Sequence, residues 1–448
     1  MRITSRITIV LLALGFAAPL FRPVHAGDTV RIASVAPVDP DAPRARARAG
    51  ELIVQFRADT DERDVARLTR EAGAARVRRS AFGNRYLVSM DAGFTPADAM
   101  ERLAGAPEVE FAEANGRMHA FFHPNDPFYS RDQWNFVMLN AERMWDIQKG
   151  DSSVVVAILD TGIAYEDFGP FRKAPDWGGT VFVQGTDIVN GDSHANDDNF
   201  HGTHVASTVA EATDNTEGAA GLAFQCALMP VKVLDADGEG SFFEVAEGID
   251  FAARNANVKV INMSLGGDGP STAVRQAVDR AVAAGITVVA AAGNDGKGTV
   301  SFPANLPNVI AVGAVDGRKQ RAFYSNFGPE ISVVAPGGDI RRDDTGPAGV
   351  PDGRPDGILQ QTFDPASAAR GNYADFHYFY VAGTSQATPH VSAVAALLYR
   401  QGIHDPVAIK AAMEQTAEDL GAPGRDDTFG HGLIRPAEAL KGLGLNLK

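Results

Sequence analysis

Five almost unbroken apolar runs, at 154–159, 227–234, 258–263, 287–291 and 309–315, constrain this chain more than any other feature. Between them lie stretches of helical periodicity at 202–213, 243–255 and 272–284. A strand that is apolar at every position needs cover on both faces, which is the condition of a buried parallel sheet. Such strands alternating with helices imply an α/β fold, a doubly wound, mostly parallel sheet flanked by helices. In sheets of this kind ligands gather at the carboxyl ends of the strands, so chemistry is expected where the apolar runs stop.

A different pattern comes first. Residues 51–56, 76–79, 86–90 and 109–113 read as strands and 61–72 and 96–104 as helices, with Thr95 as a cap and Pro96 in the first turn. The order βαββαβ is the split βαβ of a small α+β, ferredoxin-like domain, and no catalytic constellation lies in it. Further upstream, Arg2 and Arg6, an apolar run from Ile7 to Phe21 and Val24-His25-Ala26 have the plan of an export signal. The run falls short of the roughly 20 residues that span a bilayer. The expected boundaries are a signal peptide at 1–26, a linker at 27–48, the small domain at 49–119 and the α/β domain at 120–448. Residues 1–120 hold 17 Arg, no Lys and 15 acidic residues, against 24 basic and 41 acidic in the rest, a break that suits separate units.

The net charge of −15 argues against a nucleic-acid partner, since such binding rests on neutralising phosphates. A single cysteine, Cys226, excludes an intrachain disulfide and a cysteine-built zinc site, and its apolar neighbours mark it as a core residue. The expected product is a monomer, secreted to the extracellular medium or the periplasm, with no membrane partner once the signal is removed.

Three loops carry candidate chemistry. Asp160 ends the run 154–159, where a carboxylate needs a partner, although a plain strand-end cap has the same look. His201 opens a helical stretch in Phe200-His201-Gly202-Thr203-His204. His201 and His204 share a helix face as a metal pair would, but no acidic third ligand follows at helical spacing, so His204 reads as structural. Ser385, in Gly383-Thr384-Ser385-Gln386, starts a long helix at its positive end, as a simple N-cap serine also would. Together the three are far more specific. A serine hydroxyl needs a base, imidazole titrates in the right range, and a carboxylate fixes its tautomer. The order Asp, His, Ser excludes the α/β-hydrolase and chymotrypsin arrangements, and Ala387 breaks the G-x-S-x-G elbow.

Asp160-Thr161-Gly162, His201-Gly202-Thr203-His204-Val205-Ala206 and Gly383-Thr384-Ser385 with Pro389-His390-Val391 resemble the motifs of the subtilisin-like serine proteases, the subtilases. Asn262-Met263-Ser264-Leu265-Gly266-Gly267 and Ala291-Ala292-Gly293-Asn294 fit the same family, and the entry 124–129 has thermitase-like features. The resemblance implies Ser385 as nucleophile, His201 as general base and acid, Asp160 as orienting carboxylate and Asn294 as oxyanion donor. It implies a substrate-pairing strand at Ser264, Leu265 and Gly266, and a specificity pocket walled by Gly293 with Ser301 at its floor. No charge stands at those positions, so a broad or apolar P1 preference is expected. It further implies that 49–119 is an inhibitory pro-domain, an intramolecular partner cut away between about Asn115 and Pro124.

The resemblance also implies a structural Ca²⁺, with Asp126, Asn215 and, displaced, Asp167 as ligands, oxygen groups of the kind that ion prefers. Gln386 stands where the family usually has Met, which implies greater tolerance of peroxide. Residues 337–378 form a Gly/Pro/Asp-rich insertion, expected to be a solvated loop or, alternatively, a cation site. The function expected is that of a secreted serine endopeptidase acting on proteins or peptides and made as a self-processing prepro-enzyme. A catalytically dead binding protein and a lipase or esterase are the rivals. The first is disfavoured because every catalytic group is present, the second by the chain order.

Overall fold

The structure, a computed structural model, describes residues 47–116, 122–343 and 353–442. The expected signal peptide, nearly all of the linker and part of the expected processing region lie outside the described residues. The described chain forms two units, 47–116 and 122–442, and within it no helix is long and apolar enough to cross a membrane.

The first unit is an antiparallel sheet in the order β2-β3-β1-β4, built from β1 (Ala47–Phe56), β2 (Ala74–Arg79), β3 (Arg85–Met90) and β4 (Val109–Gly116). Its helices are Glu62–Glu71, capped by Asp61, and Pro96–Leu103, opened by a reciprocal capping box between Thr95 and Asp98. Leu52, Val54 and Phe56 alternate along β1 and meet Val65, Leu68, Tyr86, Val88 and Leu103 in a core of its own. The period-2 pattern of one strand and the helical period of the other elements thus converge on one apolar layer.

The second unit is a seven-stranded sheet in the order β11-β10-β9-β8-β5-β7-β6. Its strands are β5 (Val155–Asp160), β6 (Thr186–Asp187), β7 (Ala227–Lys232), β8 (Val258–Met263), β9 (Thr287–Ala291), β10 (Val309–Val315) and β11 (Ile331–Pro336). Every neighbouring pair is parallel. Two helix pairs cover it: Phe242–Ala253 with Thr272–Ala283, and His201–Ala210 with Thr384–Arg400. All residues of β5, β7, β9, β10 and β11 are buried, which is why their sequences carry no polar alternation. The chain leaves β5 for one edge of the sheet, returns through β7 and then continues from β8 on the other side. The carboxyl end of β5 is therefore the switch point, and Asp160 is its last residue.

The insertion departs from expectation. Residues 358–363 are not loop but a fully buried strand, β12 (Ile358–Phe363), paired antiparallel with β13 (Phe376–Val381). Its polar residues find several partners inside the protein, although Gln360 Oε1 and Gln361 Nε2 are left without one. The Gln361 side chain accepts the Asp176 N–H at 2.9 Å and the Thr362 hydroxyl donates to the Phe200 carbonyl at 2.7 Å. Asp132, fully buried, takes the Tyr380 hydroxyl at 2.6 Å and the Arg354 guanidinium at 3.2 Å, fastening the hairpin to the segment that opens the unit.

Candidate active site

Asp160 is 0% exposed, at the end of β5. Its Oδ1 accepts the Thr161 N–H at 2.8 Å and pairs with His201 Nδ1 at 2.7 Å. The His201 helix can approach so closely because Gly202 follows: a Cβ there would lie 2.1 Å from the Gly162 carbonyl oxygen. Just before His201, Phe200 takes a left-handed φ of 116°, a conformation that costs a bulky residue about 1–3 kcal/mol. Its N–H donates to Asp197 and its carbonyl accepts Thr362, bonds that help hold it there. Burial alone would lower the His201 pKa, but the charge and hydrogen bond of Asp160, joined by the charge of Asp197, outweigh it and raise the value above the ordinary 6.5. An imidazole fixed through Nδ1 presents Nε2 as its working nitrogen.

Ser385 is the second residue of the Thr384–Arg400 helix, which packs against the His201 helix. Its hydroxyl donates to the Ser264 carbonyl at 3.0 Å, and no hydrogen bond joins it to His201 in this state. The Ser264 hydroxyl in turn donates to the Ser385 carbonyl at 2.8 Å, so the segment after β8 is tied to the serine from both sides. Asn294 Oδ1 accepts both the Thr384 N–H (2.8 Å) and the Thr384 hydroxyl (2.9 Å). With that oxygen committed, its amide N–H₂ is the end left to donate beside the serine.

Gly266, Gly293 and Ser301 come together. A Cβ on Gly266 would lie 3.1 Å from Ser301 Cβ, and one on Gly293 2.3 Å from Ser301 Oγ. Gly293 has φ +103°, so a side chain there would meet both strain and collision. Asn326, which the sequence did not single out, lies under the same spot: its amide donates to the Ala292 carbonyl (3.2 Å) and reaches Ser301 Oγ (3.4 Å). Leu265 is half-buried between Ser264 and the exposed Gly266. His204 is fully buried, its Nε2 against the Ile358 and Phe379 carbonyls (3.1 and 3.2 Å), and burial drops its pKa to about 3. It is a tie to the β12–β13 hairpin.

The expected cation ligands need one correction. Asp126 and Asn215 belong to one cluster, but Asp167 does not join them: it is exposed and its Oδ1 accepts the Lys173 N–H at 2.8 Å. Asp176 stands there instead. Its Oδ1 accepts the Asn215 amide at 2.6 Å and its Oδ2 the Tyr378 hydroxyl at 2.9 Å. Asp126 Oδ2 accepts the Asp214 N–H at 2.8 Å, while its buried Oδ1 has no partner. Both oxygens of Glu211, at the end of the His201 helix, are likewise buried without a hydrogen bond. Burial raises the pKa of Asp126 to about 7 and lifts Asp176 as well; it pushes Glu211 far up, with the charges of Asp176 and Asp126 adding to the effect. Among the described residues no three His, Cys, Asp or Glu side chains are grouped to hold a metal by themselves. An ion here needs Asn215 and loop carbonyls as well, a donor set that suits Ca²⁺.

Comparison with known proteins gives the same frame. Residues 151–432 match the model of the "Subtilase family" and residues 33–115 that of the "Fervidolysin N-terminal prodomain". The chain is 36% identical over 381 residues to the "Thermophilic serine proteinase" of Bacillus sp. (strain AK1), covering 85% of each chain. It is 36% identical over 303 residues to "Thermitase" of Thermoactinomyces vulgaris, covering 68% of this chain and 94% of that one. Among solved structures, one titled "Proteases from Pseudoalteromonas arctica PAMC 21717" aligns with a TM-score of 0.61 at 32% identity, over 71% of this chain and 98% of the other.

Proposed function

The chain belongs to the subtilase family of serine peptidases and carries an N-terminal pro-domain, and from that premise we propose that it is a secreted endopeptidase working through Asp160, His201 and Ser385. The observation that carries this reading is the 2.7 Å bond between His201 Nδ1 and the buried Asp160 carboxylate. It leaves Nε2 free to act as the base, in a pocket beside the helix that bears the serine.

A turn of the Ser385 side chain away from the Ser264 carbonyl brings Oγ to His201 Nε2. Oγ then attacks the peptide carbonyl as its proton passes to Nε2. The oxyanion is held by the Asn294 amide and the Ser385 N–H, and a subtilase that loses the side-chain donor loses about 10²–10³ in kcat. The C–N bond breaks as the imidazolium returns its proton to the amine. Water, activated by the same imidazole, then cleaves the Ser385 ester.

Ser264, Leu265 and Gly266 would pair with the substrate backbone by strand addition. The pocket of Gly266, Gly293, Ser301 and Asn326 has no charged side chain, which supports a broad or apolar P1 preference. In this reading residues 1–26 direct export, 49–119 inhibit the enzyme until cut away between about Asn115 and Pro124, and the product is a monomer. A structural Ca²⁺ would be held by Asp126, Asp176 and Asn215, supplying positive charge to carboxylates that burial otherwise penalises.

The test is expression of residues 27–448 as wild type and Ser385→Ala, followed by intact mass and casein hydrolysis. Wild type is expected to shed its first segment and digest casein, and the variant to do neither. Processing and casein digestion by the variant would overturn the reading.

A further inference from the structure

We propose that Asp197 is a positioning residue of this site: its buried carboxylate fastens the loop that carries Asp160 to the helix start that carries His201. The inference rests on the triad reading above.

Asp197 is 1% exposed and accepts five hydrogen bonds. Two are local, from the Asn199 and Phe200 N–H groups, both at 3.0 Å, and on their own would make Asp197 an ordinary turn-forming aspartate. The other three are not of that kind. Oδ1 takes the Thr161 hydroxyl at 2.8 Å, from the residue directly after Asp160. Oδ2 takes the Thr203 N–H at 2.9 Å and the Thr203 hydroxyl at 2.6 Å, in the first turn of the His201 helix.

The linkage closes from the other side. Thr161 Oγ1 accepts the Gly202 N–H at 2.9 Å, and Thr203 Oγ1 accepts the Ala164 N–H at 3.0 Å. Each threonine hydroxyl therefore donates to Asp197 and accepts from the opposite segment. One carboxylate holds both ends of the Asp160–His201 bond, and also the N–H of the strained Phe200. A misplacement of about 1 Å between reacting groups can cost 10²-fold in rate, so such a clamp has catalytic consequences without touching substrate.

Charge provides a second consequence. The groups facing the His201 imidazole are Asp160 and Asp197, which favour its protonated form, and the buried His204. Neutralising Asp197 removes one of the two negative charges.

The test compares wild type, Asp197→Asn, Thr161→Val and Thr161→Ser as matured enzymes, with rates on a soluble peptide anilide normalised to sites titrated by a fluorophosphonate probe, and runs Ser385→Ala, which has no site to titrate, beside them at equal protein concentration. Asp197→Asn is expected to lose about 10- to 100-fold in kcat, with little change in KM, and the acid limb of its kcat/KM profile should move to lower pH. Thr161→Val should lose activity with the limb in place, and Thr161→Ser, which keeps the hydroxyl, should retain it. Wild-type kcat in Asp197→Asn, or a loss with an unmoved limb, overturns the proposal. Should Asp197→Asn not fold, equal activities of the Val and Ser variants overturn it instead. Activity in Ser385→Ala would bring down the triad reading itself, whichever way Asp197 behaves.

Discussion

The helix His201–Ala210 has a buried acidic cluster at each end, and the two are satisfied in different ways. At its start, Asp160 and Asp197 face N–H groups, threonine hydroxyls and an imidazole, close to the positive end of the helix dipole. At its end, Glu211 caps the helix beside Asp176 and Asp126, where the dipole is negative and three buried oxygens of Glu211 and Asp126 have no donor. The first cluster leaves one buried oxygen, Asp160 Oδ2, without a hydrogen bond and is otherwise met by protein groups. The second accumulates negative charge with too few donors, the situation in which carboxylates take up protons or bind a cation. One helix thus separates the proposed chemistry, at its N-terminus, from a site whose main contribution would be to stability.

The largest expected effect tests that separation directly. Asp160→Asn should reduce kcat by about 10⁴-fold, because an amide cannot hold the imidazole in the required tautomer. Asp176→Asn should leave kcat at 25 °C within a few-fold of wild type while lowering Tm in the presence of calcium. Steady-state kinetics on folded variants decide the matter. A folded Asp176→Asn as inactive as Asp160→Asn would show that the two ends of the helix are not independent.

Removal of the ion comes next. An ion held at 100 times its Kd stabilises by about 2.7 kcal/mol, which for a unit of this size corresponds to roughly 4 °C in Tm. EDTA should therefore lower Tm on that scale and leave the kcat/KM of still-folded enzyme unchanged. An unchanged Tm would mean that the second cluster resolves its charge by protonation alone.

Glu211→Gln sharpens the same point. The isosteric amide replaces a buried carboxyl that must take up a proton when no ion is present, so the EDTA-treated protein should gain about 1 kcal/mol, one to two degrees in Tm. The difference between calcium-loaded and EDTA-treated protein should shrink. A lower Tm in EDTA would show that Glu211 is stabilised by its surroundings rather than strained by them.

Sequence reasoning reached these two ends of the helix unequally, for physical reasons. Asp160, His201 and Ser385 stand out because acyl transfer needs those groups and the apolar strands around them leave nothing else polar. The strands were legible because full burial suppresses polar alternation. By the same logic β12 reads as loop in the sequence: Gln360, Gln361 and Thr362 are buried polar residues whose partners, such as the Asp176 N–H, are distant in sequence. Asp176 is in no motif, and Asp167, closer to the Asp160 loop, took its place in the expectation. Asn326 and Asp197 carry no such signal, because buried amides and loop aspartates look the same in sequence as solvated ones. Only their hydrogen bonds distinguish them.

The smallest effect concerns the pH at which the first cluster works. His201 must be neutral to accept the serine proton, and Asp160 and Asp197 raise its pKa above the ordinary 6.5 against the opposing effect of burial. As pH falls through that raised value the base becomes protonated, so kcat/KM should decline with its midpoint above pH 6.5 and be fully present well above it. Because Asp160 is entirely buried, salt should screen the interaction little and the midpoint should barely move between low and high ionic strength. Asp160→Asn should shift the residual activity's midpoint to lower pH. A wild-type midpoint at or below 6.5 would mean that burial, not the carboxylates, dominates the imidazole, and the catalytic end of the helix would then resemble the other end, with an ionisable group held against its preferred charge.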